Sequence, residues 1–335
     1  MNTPYMNGYN DIEARLLNNF QHYFPLVCRP FRNIGTQVGL DETEVIDRFG
    51  QLAEDGVISR IGPVFSPGSI GASTLAALAV PAACVEEIAA WLNTFPEINH
   101  NYEREHDYNL WFVVAAPDQG RLNAVLNRIA NHVGFSMLVL PMVERYHIDL
   151  GFDLNGKGRH ARCTAGQGAR VQLNDEQTAI VAALQSGIRL EREPFSAIGS
   201  CVRMDEDAVI NQVVLWRMRG VIKRFGVVVR HHELGYRENA MTVWDVPDEL
   251  VDEIGRIVSQ QDGVTLCYRR SRCLPEWPYN LFCMVHGTDR TVVQAQIAQL
   301  VGNAGLAAFP SQTLFSRRRF KQCGARYAGV SDGRA

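Results

Sequence analysis

The feature that most constrains this chain is that it is written twice. Pro30-Phe31-x-x-Ile34-Gly35 returns as Pro194-Phe195-x-x-Ile198-Gly199, with Phe31 and Phe195 164 positions apart. The same spacing pairs Asp41-Glu42 with Asp205-Glu206 and Val45-Ile46 with Val209-Ile210. It also pairs Gly56-Val57-Ile58-x-Arg60-x-Gly62 with Gly220-Val221-Ile222-x-Arg224-x-Gly226. Further on, Tyr102-x-Arg104 matches Tyr268-x-Arg270 and Tyr108-Asn109-Leu110 matches Tyr279-Asn280-Leu281; short insertions such as 272–276 have stretched the spacing to 171 there. Collinear matches with gaps confined to loop-like stretches mean a duplicated unit, so whatever fold one half takes the other takes too. At 335 residues, the chain has enough length for two or more cores.

Each half reads in two parts. Residues 11–20 space Ile12, Leu16, Leu17 and Phe20 helically behind an acidic start, and a short helix through Ile34 and Val38 follows. A third begins near Asp41 with Val45, Ile46, Phe49 and Leu52 on one face, and Gly56 suits its left-handed stop. Residues 57–65 then read as a strand pair, the wing of a winged helix-turn-helix. The remainder predicts strands 73–80, 98–102, 110–115 and 137–144 and helices 83–94 and 121–133, a β-α-β-β-α-β order that is ferredoxin-like. The second half predicts strands 241–246, 265–269, 281–286 and 312–315 and helices 249–259 and 291–301. The expected class is α+β: a tandem duplication of a winged helix-turn-helix (1–66, 173–229) and a ferredoxin-like domain (67–150, 230–330). A Gly-rich polar linker, 151–172, joins the copies.

Charge and cysteine usage narrow the function classes. The formal charge of −3 gives no whole-molecule attraction to nucleic acid or to an anionic membrane. No apolar run approaches the ~20 residues that span a bilayer, and the start of the chain has no charged stretch followed by an apolar one. The 8 cysteines include no C-x-x-C pair, and most sit in apolar runs, which predicts reduced core thiols in a cytoplasmic protein with no intrinsic metal. A recognition helix needs cations and amides toward the groove. Here the third helices open on Asp41, Glu42 and Glu44, and on Asp205, Glu206 and Asp207, a poor face for phosphate.

The stretch from Arg230 to Met241 carries a different chemistry. Two adjacent imidazoles, His231 and His232, lie between Arg230 and Arg237 at the mouth of a predicted strand, and an extended chain turns only one of them toward a given site. The repeat makes Pro67 and Gly68 their counterparts, whereas His106 corresponds to Trp277, so two equivalent pockets would be chemically unequal. His22, His132 and His160 read as solvent groups at helix ends or in the linker, and His286 reads as a structural residue closing a strand.

A winged helix followed by a ferredoxin-like domain resembles the Lrp/AsnC family of effector-responsive regulators, over almost the whole chain and twice. Other strings resemble the siroheme decarboxylases of the fused NirD–NirL type. They are Ser59-Arg-Ile-Gly-Pro-Val-Phe65, Asn99-His-Asn-Tyr-Glu-Arg-Glu-His-Asp-Tyr-Asn-Leu-Trp-Phe112, Arg224-Phe-Gly226 through Met241, and Trp277-Pro-Tyr-Asn-Leu-Phe282. The resemblance implies loss of CO2 from the C12 and C18 acetates of siroheme, in the haem d1 pathway, by a chain whose helix-turn-helix parts are scaffold. It implies no functional nucleic acid and no cofactor beyond the iron tetrapyrrole substrate. Its partners would be siroheme, a second copy of the chain, or other proteins of the pathway.

Siroheme presents eight carboxylates around an iron macrocycle, so a site for it needs guanidiniums with aromatic and aliphatic walls. The candidates are Arg60, Arg104, Arg224, Arg230 and Arg270, with Tyr102, Tyr108 and Tyr268; Arg237, Arg269, Arg272 and Arg317–Arg319 are further cations near strand ends. Arg269 and Arg270 alternate faces, so one of them alone points into a site. Decarboxylation leaves carbanion character at a methylene, and an imidazole suits delivery of the proton. His231, His106 and His100 are the expected donors in that order, with His231 also an expected ligand of the substrate iron. A haem- or siroheme-sensing regulator of the Lrp/AsnC type is the alternative, and a non-catalytic tetrapyrrole carrier a third reading.

Overall fold

In the computed structural model, which describes residues 9–148, 170–230 and 238–328, both halves build the same elements. The first holds α1 (Asp11–Asn19), α2 (Pro30–Val38), α3 (Glu42–Glu54), β1 (Ile58–Phe65), β2 (Ala72–Leu78), α4 (Val85–Asn93), β3 (Ile98–Arg104), β4 (Leu110–Ala116), α5 (Gln119–Val133), β5 (Met137–Leu140) and β6 (Met142–Ile148). The second holds α6 (Asp175–Leu184), α7 (Pro194–Val202), α8 (Glu206–Met218), β7 (Ile222–Val229), β8 (Glu238–Trp244), α9 (Val251–Val258), β9 (Val264–Arg270), β10 (Leu281–Gly287), α10 (Arg290–Asn303) and β11 (Ser311–Gln322). These fall into two compact units, and each unit draws on both halves: 9–72 with 170–230 and 326–328, and 73–148 with 238–325.

The first unit is helical, and its local rules are visible in the repeat. Asn10, Asp41 and Asn174 cap α1, α3 and α6 in reciprocal capping boxes with Glu13, Glu44 and Gln177. The repeated glycines have a steric reason: a Cβ at Gly35 would lie 2.5 Å from Leu40 O, and one at Gly199 2.5 Å from Met204 O. Only glycine lets the turn after α2 or α7 fold back so closely. Phe24, Phe31 and Phe225 interlock at centroid separations of 5.8 Å at the centre of this core.

The wing corrects the sequence reading. Residues 57–65 hold one strand, β1, not a hairpin, and it pairs antiparallel with its own repeat β7, Gly62 opposite Gly226. A copy read by itself cannot show this, because the partner edge belongs to the other copy. Gly226 also admits the segment after α1: Phe20 O accepts from Val227 N at 2.8 Å, and a Cβ on Gly226 would stand 2.3 Å from that oxygen.

The second unit is a nine-stranded sheet in the order β5-β2-β4-β3-β11-β8-β10-β9-β6. Its first and last strands are separated in sequence by Pro141 alone, so the order closes on itself. The expected strand 137–144 is therefore two: β5 pairs with β2, and beyond Pro141, which has no N–H to give the ladder, β6 leaves to pair with β9. The second half repeats the exchange. The expected 312–315 strand runs to Gln322, with Ser311–Phe315 on β8 and Ser316–Gln322 on β3. The charged run there disguised a strand whose outward side chains pair with acids, Arg318 Nε to Glu103 at 2.5 Å and Arg317 to Glu103 at 3.9 Å.

One face of the second half's strands packs on α9 and α10 through Trp244, Val251, Val258, Val293 and Leu300. A second apolar cluster joins residues of both halves: Leu75, Trp111 and Leu140 with Met241, Tyr268, Trp277 and Phe282. Asn109 and Asn280 do identical work in the two copies. Each amide grips both backbone groups of one residue, Val80 at 2.8 and 3.0 Å and Val246 at 2.9 and 3.0 Å.

Two smaller expectations also fail. Among the described cysteines only Cys267 and Cys283 are buried, while Cys28 and Cys201 are exposed. His22 is buried rather than solvated, because the segment after α1 is pressed against β7. No described helix is long and apolar enough to cross a membrane.

Candidate carboxylate-binding and proton-transfer site

The site is built by strand alternation in the second unit. β3 turns His100, Tyr102 and Arg104 to one face, where Tyr102 stands directly opposite Trp111 of β4. β9 turns Tyr268 and Arg270 to the corresponding face, with Tyr268 opposite Phe282 of β10. Arg269 takes the other face and pairs with Asp248 at 3.0 Å and Asp252 at 3.6 Å.

Arg104 and Arg270 are both 6 % exposed. Each donates to the carbonyl of a leucine near the end of the other half, Arg104 Nη1 to Leu314 O of β11 at 3.0 Å and Arg270 Nη1 to Leu140 O of β5 at 2.7 Å. Arg104 also reaches Asn239 Oδ1 at 3.4 Å, itself the acceptor of Ser316 Oγ at 2.8 Å. The guanidiniums lie over their own tyrosines, Arg104 5.8 Å from the Tyr102 ring and Arg270 4.6 Å from that of Tyr268. No described carboxylate pairs with either. Burial pushes Arg104 down to about 10 and lowers Arg270 as well; burial raises the Tyr102 phenol. Buried cations held only by neutral carbonyls and ring faces are costly in isolation and are poised for an anion.

The imidazoles lie on β3 and in the turn that follows it. His106 Nδ1 accepts from Tyr108 N at 2.9 Å, which orients the ring and leaves Nε2 as its other nitrogen. The ring lies parallel to Tyr108, centroids 6.2 Å apart, and edge-on to Trp277 at 5.4 Å. Trp111 Nε1 donates to Tyr108 O at 2.6 Å and the Tyr108 hydroxyl meets Ser136 Oγ at 2.8 Å, which fixes the turn. His100 Nδ1 contacts Asn99 Oδ1 at 3.1 Å, and its ring is stacked at 6.3 Å from Tyr102.

The second unit thus gathers His100, Tyr102, Arg104, His106, Tyr108, Tyr268 and Arg270. Arg60, Arg224 and Arg230 belong to the first unit, where they donate to Pro63 O at 2.9 Å, Gln21 O at 2.9 Å and Gly56 O at 3.3 Å. His231, with His232 and Arg237, lies outside the described residues. Arg272 is engaged by Asp245 at 2.8 Å and Asp248 at 2.6 Å, so it is a structural cation of the β8–α9 connection. His286 meets Thr265 Oγ1 at 2.9 Å, the bond of a strand-closing residue. The sequence reading passed over Asn239, which steadies Arg104, and Arg145, which β6 carries to a place opposite Tyr268. Only the crossing of the strands reveals the second. Among the described residues, no group of three or more His, Cys, Asp or Glu side chains suits a metal ion.

Buried arginines and aromatic walls on a duplicated sheet, joined to helix-turn-helix elements, define an effector-type ligand-binding fold. Residues 69–147 and 233–321 match the AsnC-like ligand binding domain, and residues 13–58 match the siroheme decarboxylase NirDL-like HTH domain. The chain is 41% identical over 323 residues, 96% of its length and 99% of the relative's, to the siroheme decarboxylase NirDL subunit of Paracoccus denitrificans. It superposes on the crystal structure of the siroheme decarboxylase NirDL with a TM-score of 0.71 at 28% identity, covering 95% of both chains. The TM-score is 0.69, over 95% of this chain and 93% of the other, for NirDL in co-complex with an iron-uroporphyrin III analogue. The chain belongs to the siroheme decarboxylase family.

Proposed function

We propose that this chain removes CO2 from the acetate side chains of siroheme, those on C12 and C18, as a carboxy-lyase of haem d1 formation. The observation that carries the reading is the pair of buried, carboxylate-free guanidiniums, Arg104 and Arg270, on inner faces walled by Trp111, Trp277 and Phe282. Arginine forks hold the peripheral carboxylates, and the aromatic walls take the macrocycle. The departing CO2 leaves its electron pair on the methylene carbon, in conjugation with the ring. A proton then closes that carbon to a methyl. His106, whose Nδ1 is oriented by Tyr108 N, is the donor supported by geometry: as the imidazolium it gives the carbon a proton from Nε2 and returns to the neutral ring; His100 and His231 are the further candidates, and His231 is also a candidate ligand of the substrate iron. The reacting acetate is held without a tight ion pair of its own, since only interactions that strengthen toward the transition state speed the step. No cofactor beyond the substrate's own iron enters this scheme.

The test is anaerobic incubation of the purified chain with siroheme and nothing else, read by mass spectrometry. Products lighter by one and then two CO2 are expected; unchanged tetrapyrrole would reject the activity. The rival regulator reading is disfavoured by the acids at the start of the third helix, Asp41, Glu42 and Glu44, where Glu42 also takes up the cation Arg29. A shift of the chain's own upstream DNA in a gel would support that rival.

A further inference from the structure

Four buried donors of the second unit find no acceptor among the described residues; two are the indole N–H groups of Trp244 and Trp277, and two belong to arginines. Nη1 of Arg145 and Nε of Arg270 are buried and without an acceptor among the described residues. They are neighbours by register: β6 lies on β9 with Met142 opposite Arg270 and Arg145 opposite Tyr268. Tyr268 is also the ring under the Arg270 guanidinium, at 4.6 Å. Neither arginine pairs with a described carboxylate, and burial lowers the basicity of both. A buried guanidinium N–H without an acceptor is among the costlier features a core can carry, so an acceptor in the working state is the economical explanation.

The duplication supplies an independent argument. On the other strand exchange, β11 brings Arg319 opposite Tyr102, just as β6 brings Arg145 opposite Tyr268. Each copy therefore has a Tyr-x-Arg on one strand and an arginine delivered from the other half's last strand. The copies differ in how they are filled. Arg319 is exposed and donates to Gln322 at 3.1 Å, and Arg104 leans on Asn239. Around Tyr268, both arginines keep a donor open.

We propose that Arg145 and Arg270 form a two-arginine clamp beside Tyr268 that binds one peripheral carboxylate of the tetrapyrrole, which makes Arg145 a substrate-binding residue. The clamp rests on the reading of the ligand as a polycarboxylate tetrapyrrole. One carboxylate oxygen accepts from Arg145 Nη1 and the other from Arg270 Nε, which satisfies both open donors at once. The Phe282 ring, 5.9 Å from the Arg270 guanidinium, supplies adjoining apolar wall.

The experiment is an absorbance titration of the full chain with iron uroporphyrin, for wild type, Arg145→Gln and Arg145→Lys, with melting temperature as the check on folding. Arg145→Gln is expected to weaken binding about tenfold, the effect of one charged hydrogen bond. Arg145→Lys keeps the charge without the planar fork and is expected to recover part of that loss. Iron coproporphyrin, in which methyls replace the acetates, separates the two carboxylate sources. A penalty that vanishes on this probe assigns an acetate to the clamp, and one that persists assigns a propionate. A folded Arg145→Gln chain that binds iron uroporphyrin like wild type overturns the clamp. Should the glutamine variant not fold, a lysine variant with wild-type affinity overturns it instead. A wild-type chain that takes up no iron uroporphyrin overturns the tetrapyrrole reading beneath it.

Discussion

Replacing Arg104 by methionine separates a binding role from a structural one, because the two predict opposite balances. Burial holds the Arg104 guanidinium at about 10, some two and a half pH units below the ordinary guanidinium range. At ~1.4 kcal/mol per pH unit, that difference is a desolvation cost of roughly 3 kcal/mol. The sign is that of a base lowered by folding: between the folded and unfolded pKa values the unfolded chain binds more protons, and at neutral pH the whole penalty is present. Against it stand the bonds to Leu314 O and Asn239, with about 1–3 kcal/mol at stake when Leu314 O loses its donor. The two nearly cancel, so Arg104→Met, similar in volume and apolar, should change the urea unfolding free energy by less than about 2 kcal/mol in either direction. Affinity for iron uroporphyrin should fall at least about thirtyfold, ~2 kcal/mol, through loss of the charged fork. Tight binding by Arg104→Met, or a stability loss beyond about 3 kcal/mol, would refute the reasoning and make Arg104 a structural cation.

Two other substitutions probe the chemistry and the scaffold. His106→Gln retains a polar side chain but not a titrating imidazole; single-turnover decarboxylation should slow by about a hundredfold or more while iron uroporphyrin binding moves less than about threefold. His231→Ala is expected to slow the same step, and full activity in both variants would remove His106 and His231 from the mechanism. Asn280→Ala strands the N–H of Val246 at a position 1 % exposed, while the carbonyl keeps Arg272 Nη2 at 2.7 Å, so denaturant unfolding should show a loss of about 1–3 kcal/mol. Its counterpart Asn109→Ala, half-buried, should lose less.

Much of this architecture was legible because the repeat states its own geometry. Gly35 and Gly199 recur where a Cβ has no room. Asn109 and Asn280 recur where one amide clamps one residue. Helix caps and the Tyr-x-Arg pairs follow from neighbours in sequence, and alternation alone separates Arg270 from Arg269. What the sequence hid are the contacts each copy makes with the other. β1 pairs with β7, β6 with β9 and β11 with β3, and none of these has a local signal, since a strand's hydrogen-bonding edge does not name its partner. Arg145 stayed invisible for that reason: its meaning lies in standing opposite Tyr268, more than a hundred residues away.

The same exchange explains why the duplicated halves stay joined. Without β11, β3 would present an open edge, and without β6, β9 would do the same. Each buried arginine would also lose the leucine carbonyl that supports it, since Leu314 serves Arg104 and Leu140 serves Arg270 across the halves. A half alone is thus an incomplete sheet with an unsupported cation. Fusion makes the exchange intramolecular, which raises the effective concentration of the partner strand and lowers the ordering cost at association. It also frees the copies to diverge. The first keeps His100 and His106 beside its Tyr-x-Arg, where the second carries Leu266 and Trp277. The open arginine donors gather around the second's Tyr268, one from its own Arg270 and one from Arg145 of the first half's β6. A symmetric pair of sites would have to bind and protonate with identical residues. Under the proposed function the fused chain can place its proton donors on one face alone while keeping a carboxylate-binding arginine, Arg104 or Arg270, on each, as suits a macrocycle whose reacting and non-reacting carboxylates need different treatment.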